Sequence, residues 1–202
     1  MQTTKHIDKT RLMFFSDAIL AIIITILVLD IKVPEGLELA TNGEFFKNLI
    51  KVLPHFFGFI ISFAFIIVLW LSHHDLLESL LYANRRLATF NFCFLGATAT
   101  LPFSTALAAA YSHQPYAVAT LALNMFVMNI FLATLHIYSV KSGLRDINYF
   151  PIRYQKMKQM FGIFGGFVFL LAIFVSFFSP TAALIIIVIV PILHIIPISS
   201  PV

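Results

Sequence analysis

The sequence predicts an all-α membrane protein with six transmembrane helices, and three observations support this. The 202 residues are 60% hydrophobic and 11% charged, whereas soluble domains carry about 25% charged residues. The mean hydropathy is +0.95. Six apolar stretches of roughly membrane-spanning length are separated by short polar connections. Together these features predict a single transmembrane domain over residues 1–202.

Helix 1, predicted at about 11–32, is the most informative stretch. Between residues 18 and 29 its only polar side chain is Thr25. About 20 apolar residues at 1.5 Å each span the hydrocarbon of a bilayer, and Pro34, which has no amide donor, closes the helix. Asp17 lies near its start, where an acid is expected to face protein or water. The alternative is that Asp17 lies at the headgroup level and helps to start the helix.

Five further helices complete the predicted bundle. They are expected at about 45–73 (helix 2), 87–109 (helix 3), 116–139 (helix 4), 158–178 (helix 5) and 181–197 (helix 6). Between helices 2 and 3, residues 74–86 are amphipathic and predict a short helix at the membrane interface. Gly162, Gly165 and Gly166 in helix 5 predict a close helix approach. The single cysteine, Cys93, is expected to be a small core residue.

Basic residues predict the orientation of the bundle. Ten of the thirteen Lys and Arg fall on one predicted side and three on the other: the tail with Arg11, residues 74–86 and residues 140–158 against Lys32, Lys47 and Lys51. This asymmetry predicts cytoplasmic termini, and the net charge of +4 is therefore not interpreted as nucleic-acid binding. The outward acids Asp30, Glu35, Glu38 and Glu44 either enrich cations at that end of the bundle or are simply solvated.

The sequence carries no motif of catalysis or cofactor binding. It contains no glycine-rich phosphate loop, no metalloprotease motif and no nucleophile elbow. His73 and His74 are adjacent and point to different faces of a helix, which makes them a poor metal pair. We therefore predict no enzyme, no catalytic residue, no metal site and no cofactor. Helices 2 to 6 also lack charged residues in their middle thirds, which argues against an ion-coupled carrier.

One apolar stripe of helix 1 suggests a permeation surface. Ile22, Ile26 and Leu29 have i, i+4, i+7 spacing and lie on one face, with Thr25 beside them. In several copies around an axis, each position becomes a ring of side chains that gates by dewetting. The alternative is that the stripe contacts lipid or packs inside the bundle. There is no Thr-Val-Gly-Tyr-Gly filter, so a backbone-carbonyl filter is not expected.

The string Arg11-x-x-x-Phe15-Ser16-Asp17 resembles the first-helix signature of the endolysosomal potassium-leak channel family and its bacterial members. The resemblance continues over roughly the first half of the chain. It includes Trp70-Leu-Ser-His73 on the second helix, and Asn91 and Leu101-Pro102-Phe103-Ser104 on the third.

This resemblance implies a homotetramer in the plasma membrane of a bacterium that conducts K⁺ passively. Helix 1 would line the pore. Its first constriction would be at Ile22, followed by Ile26 and Leu29, with Thr25 one turn above Ile22. The only ligand implied is the permeant K⁺. A six-span small-solute carrier and a non-conducting membrane scaffold subunit remain the alternative functions.

The resemblance also implies a structural polar network at the cytoplasmic end of helix 1. Its members would be Arg11, Phe15, Ser16, Asp17, Trp70 and His73. At 100° per residue, Arg11 and Asp17 stand about 240° apart around a straight helix. We therefore expect each of them to reach another helix or subunit rather than its neighbour.

Overall fold

The computed structural model describes residues 7–35, 41–146 and 148–195, and within these ranges all regular elements are helices. The helices are α1 (Lys9–Leu29), α2 (Asn42–Ile50), α3 (Leu53–Glu78), α4 (Arg85–Ala99), α5 (Leu101–Ala110), α6 (Pro115–Lys141), α7 (Ile152–Ser176) and α8 (Pro180–Ile195). The predicted all-α fold is confirmed. The tail residues 1–6, Glu38 and the predicted end of helix 6 at residue 197 lie outside the described residues.

The described residues form eight helices instead of the six predicted, because two predicted spans are each broken once. Predicted helix 2 is divided into α2 and α3 just before Pro54, and predicted helix 3 into α4 and α5 just before Pro102. A proline cannot donate to the carbonyl four residues earlier, so the helix is interrupted there. When each pair is counted once, five helical units in the described ranges are long and apolar enough to cross a membrane, and α8 is a shorter apolar helix.

Side-chain caps account for the observed helix starts. Asp8 accepts a hydrogen bond from the Thr10 amide at 2.9 Å, so α1 begins at Lys9. Asn84 accepts from the Leu87 amide at 2.9 Å and starts α4. Such caps satisfy amides that have no partner within the helix. At α7 the helix begins at Ile152, six residues before the predicted start at 158.

The prediction of an interfacial helix over 74–86 is wrong. Helix α3 continues to Glu78, and the chain then runs irregularly to α4. In this connection the Leu81 amide donates to the Leu144 carbonyl at 2.8 Å, and the Ile7 amide donates to the Ala83 carbonyl at 2.9 Å. Ala83 is fully buried. An amphipathic pattern marks one apolar face, and here that face is covered by the protein's own segments rather than by lipid.

Helices α1 and α7 pack against different neighbours. Helix α1 packs against α3, α4 and α5, whereas α7 packs against α6 and α8. The close approach predicted at helix 5 occurs at Gly165 and Gly166, where an added Cβ would lie 3.1 and 3.4 Å from the Asn129 amide; at Gly162 the space is open. Cys93 is exposed, contrary to the expectation of a core position, because α4 turns Phe94 inward instead.

Candidate functional site

Helix α1 has one face inside the bundle and one outside it. Leu20, Ile23 and Leu27 are buried. On the outside, Ile22 is 56% exposed, Ile26 43% and Leu29 73%, and these belong to the stripe identified from the spacing. The structure therefore brings a continuous aliphatic surface to the outside of the single chain.

Thr25 is the polar member of this exposed face. Its hydroxyl donates to the Ile22 carbonyl at 2.7 Å. With its hydrogen directed at the backbone, the hydroxyl oxygen presents its lone pairs outward. The side chain therefore offers an acceptor to a cation or a water molecule and no donor.

Asp17 is bound on the inner side of α1 by the second membrane unit. The Trp70 indole Nε1 donates to Asp17 Oδ1 at 2.8 Å. The indole ring is also stacked on His74, with ring centroids 5.3 Å apart. This contact fixes α1 to α3 across 53 positions of sequence.

A buried chain of hydrogen bonds connects α1, α3 and α4 beside that contact. His73 Nε2 donates to Asn91 Oδ1 at 2.6 Å, and Asn91 Nδ2 donates to Ser16 Oγ at 2.8 Å. The Ser16 hydroxyl in turn donates to the Leu12 carbonyl at 2.8 Å. Ser16, His73 and Asn91 have no solvent exposure. All donors point in one direction, an arrangement in which each bond polarises the next.

Arg11 and Phe15 lie apart from this chain. Phe15 is half exposed and packs edge-to-face on Phe92 at 5.7 Å. Arg11 is exposed and makes no hydrogen bond or ion pair with any residue that the structure describes. It precedes Leu29 by about five helical turns, so both project from the same side of α1. The structure thus joins Ser16, Asp17, Trp70 and His73 to the bundle and leaves Arg11 pointing away from it.

The opposite end of α1 opens into a cavity of about 470 Å³. Its lining includes the acids Asp30 and Glu35 together with Lys32 and Lys51. Acidic and basic side chains are therefore mixed here, which weakens the idea of a purely acidic mouth. Within the described ranges, no three His, Cys, Asp or Glu side chains are grouped closely enough to hold a metal ion.

Two polar clusters were missed in the sequence. Asn124 of α6 donates to the Ala97 carbonyl at 3.0 Å and to Thr100 Oγ1 at 2.6 Å, next to the break before Pro102. Asp75 of α3 accepts from the Tyr154 hydroxyl at 2.7 Å and forms an ion pair with Lys158. The partners are 24 to 83 positions apart, so no spacing rule could pair them. In the sequence, only Pro102 pointed to the first of these clusters. A proline that breaks a membrane helix leaves a backbone carbonyl free, and this carbonyl needs a donor from another helix.

Comparison with known proteins gives one consistent family. A family model described as the endosomal/lysosomal potassium channel TMEM175 matches residues 11–102. A potassium channel of Chryseobacterium sp. is 30% identical over 176 residues, which cover 87% of this chain and 86% of that protein. A potassium channel of Chamaesiphon minutus is 34% identical over 117 residues, 58% of this chain and 57% of that protein. The human endosomal/lysosomal proton channel TMEM175 is 31% identical over 114 residues, which cover 54% of this chain and 23% of that protein.

Solved structures share the fold over nearly the whole chain. The crystal structure of a lysosomal potassium-selective channel TMEM175 homologue from Chamaesiphon minutus has a TM-score of 0.78 at 25% identity, covering 93% of this chain and 96% of that one. A variant of the potassium channel MtTMEM175, crystallised with a nanobody–MBP fusion, has a TM-score of 0.61 at 21% identity, covering 96% and 90%. The second likeness is one of fold alone.

Proposed function

The chain belongs to the family of the endosomal/lysosomal potassium channel TMEM175, and from this premise we propose that four copies form a channel that conducts K⁺ passively in preference to Na⁺. Helix α1 of each copy lines the pore. The channel lies in the plasma membrane of a bacterium with both termini cytoplasmic, an orientation supported by the excess of Lys and Arg at that end of the bundle.

One observation carries the proposal: α1 is buried on one face and exposes an unbroken aliphatic stripe on the other. Ile22 and Leu29 are more than half exposed in the single chain. Around a fourfold axis, Ile22, Ile26 and Leu29 become successive apolar rings. Such rings form a constriction from which water withdraws unless an ion is passing.

The hydrogen-bonded residues at one end of α1 have a structural role in this proposal. A pore lined by side chains depends on the rotation of the helix that carries them, because 100° separates successive residues. The bonds from Trp70 to Asp17 and from Asn91 to Ser16 oppose that rotation from two helices. Arg11, on the outer side, is available to a neighbouring subunit.

Thr25 contributes to the ion preference. Its hydroxyl oxygen faces outward with its hydrogen committed to Ile22. Four such oxygens would replace part of the hydration that an ion loses between the apolar rings, and this replacement depends on ion size and dehydration cost.

The test is ion flux in liposomes that hold the purified protein, with K⁺ compared against Na⁺. Ile22→Asn is measured beside the wild type. The matched control is Ile185→Asn, which changes an isoleucine of similar exposure on α8. We expect a K⁺ preference in the wild type and the control, and its loss in Ile22→Asn.

Each other outcome has a definite meaning. Absence of flux from a correctly folded wild type would overturn the channel and favour a scaffold subunit. Saturable uptake without unitary currents would favour a small-solute carrier. If Ile22→Asn had the same flux and the same K⁺ preference as the wild type, the channel proposal would stand, but Ile22 would not be part of its selectivity filter.

A further inference from the structure

A cleft lies between α6 and α7, and its lining differs in chemical character from the exposed aliphatic stripe of α1. Its volume is about 570 Å³. Towards Leu170 the lining is mainly apolar and includes Phe126, Ile163, Phe167 and Leu170, with Asn129 as a polar member. At its other end Arg145 contributes to the lining. The cleft is thus amphipathic along its length.

Arg145 is the unusual residue of this cleft. The residue is 9% exposed, yet its guanidinium makes no hydrogen bond or ion pair within the described residues, and its Nε is buried without a partner. The nearest support is the face of the Phe150 ring, 6.0 Å from the guanidinium carbon. Burial lowers the pKa of Arg145, and Asp75 partly offsets that effect. A buried guanidinium offers five donors and normally binds an anion.

Lys158 lies at the same end and is already neutralised. It lines the cleft and forms an ion pair with Asp75, which also accepts from Tyr154. The positive charge left without a partner is therefore that of Arg145. An occupant that completes the site must bring an anionic group to Arg145 and an apolar segment to the part of the cleft that Ile163, Phe167 and Leu170 line.

The dimensions fit a lipid chain. From Tyr154 to Leu170 the α7 side of the cleft covers 17 residues, which rise about 24 Å along the helix. Half the hydrocarbon thickness of a bilayer is about 15 Å. Ile163 and Phe167 line the cleft and are largely exposed, so the cleft opens sideways.

We propose that the α6–α7 cleft binds an anionic phospholipid, with its phosphate on Arg145 and one acyl chain along Ile163, Phe167 and Leu170. The shape and charge follow the pattern of basic pockets between membrane helices that bind lipid headgroups. The inference rests on the proposed function in one respect: with α1 at the tetramer axis, α6 and α7 lie at the periphery, where lipid reaches the cleft.

The test is native mass spectrometry of the full-length protein in detergent, titrated with phosphatidylglycerol or with phosphatidylcholine of the same acyl chains. We expect the wild type to bind phosphatidylglycerol more tightly. Arg145→Gln should weaken that binding about tenfold, the loss expected for one charge-assisted contact, and Arg145→Lys should restore part of it. Arg153→Gln is the matched control, because Arg153 is exposed and does not line the cleft.

A second pair of variants tests the acyl chain without changing a charge. An added Cβ at Gly162 would meet nothing within 4 Å, so Gly162→Leu places a side chain in the open cleft and should displace the lipid. Gly162→Ala adds a single methyl group and should bind as the wild type does.

Three results would overturn the inference. Phosphatidylcholine could bind as tightly as phosphatidylglycerol, or Arg145→Gln could bind as tightly as Arg153→Gln. Gly162→Leu could retain full binding, in which case stabilisation of the wild type but not of Arg145→Gln by inorganic phosphate would identify a free-anion site instead. Because lipid binding is read without ion flux, a failure here is distinguishable from a failure of the channel proposal.

Discussion

Helices α1 and α7 each expose an apolar face. The two faces differ in the side chains they carry and in the contacts that hold the inner side of each helix. The exposed face of α7 carries aromatic side chains such as Phe167 and Phe174, whereas the stripe of α1 is aliphatic with one threonine. The inner face of α1 is bound by a buried polar chain, while α7 approaches α6 through two glycines. Equal exposure in one chain therefore does not mean an equal role. The polar chain on α1 is fully buried, whereas the bonds of α7 to α3, from Tyr154 and Lys158 to Asp75, are partly exposed and lie in its first two turns.

The largest expected effect comes from removing the centre of that polar chain. Asn91→Ala leaves Ser16 Oγ without its donor and His73 Nε2 without its acceptor, both fully buried. We expect a loss of about 3 kcal/mol in stability, since each buried unsatisfied group costs about 1–3 kcal/mol. Thermal unfolding followed by fluorescence of the single tryptophan, Trp70, measures it.

The control for this variant is Asn48→Ala, which removes a partly exposed asparagine bonded to its own helix at the Glu44 carbonyl. It should change stability by about 0.5 kcal/mol or less. Equal unfolding temperatures for the two variants would show that the buried chain does not fix α1.

The next effect concerns the bond between α3 and Asp17. Trp70→Phe keeps an aromatic ring but removes the donor to Asp17 Oδ1, and we expect a loss of about 2 kcal/mol, within the range for hydrogen bonds to charged groups. Asp17→Asn keeps an acceptor oxygen at that position and should lose about half as much. Survival of the folded protein after graded heating, followed by size-exclusion chromatography, measures both. A larger loss in Asp17→Asn than in Trp70→Phe would contradict this assignment.

The third prediction compares the two exposed faces directly through a leucine on each. Leu29→Asn should raise K⁺ flux about tenfold, the ratio produced when a polar ring lowers the barrier by about 1.4 kcal/mol. Leu171→Asn, on the exposed face of α7 and outside the cleft, should leave flux unchanged. Liposome flux under one K⁺ gradient measures both variants. An equal rise from both would mean that the faces are equivalent and that α1 is not the pore helix.

The smallest effect concerns the outward oxygen of Thr25. Thr25→Val keeps the shape and removes the hydroxyl, and we expect the preference for K⁺ over Na⁺ to fall about fivefold, equivalent to one hydrogen bond of about 1 kcal/mol. Thr134→Val is the control, because Thr134 bonds to its own helix at the Ile130 carbonyl in a similar way. Reversal potentials with K⁺ and Na⁺ on opposite sides measure the ratio. An unchanged ratio in Thr25→Val would exclude this hydroxyl from ion selection.

The sequence alone determined the class of the molecule and the approximate position of its helices. Long apolar stretches in lipid must become helices, because no water is present to satisfy the backbone. The all-α membrane fold therefore follows from composition, and the string Arg11-x-x-x-Phe15-Ser16-Asp17 with its companions predicted the family that the comparisons show. The i, i+4, i+7 spacing also identified Ile22, Ile26 and Leu29 as members of one face of a helix.

The tertiary structure decided which face of each helix is covered and by what. In a chain that is apolar on all sides, periodicity does not distinguish a lipid face from a core face, so Cys93 was expected inside and is exposed. The same ambiguity made residues 74–86 resemble an interfacial helix, although the chain covers them itself. Contacts such as Asn91 with Ser16, or Asp75 with Lys158, join residues 75 and 83 positions apart. Such pairs depend on how the helices are placed in three dimensions, which local patterns do not encode.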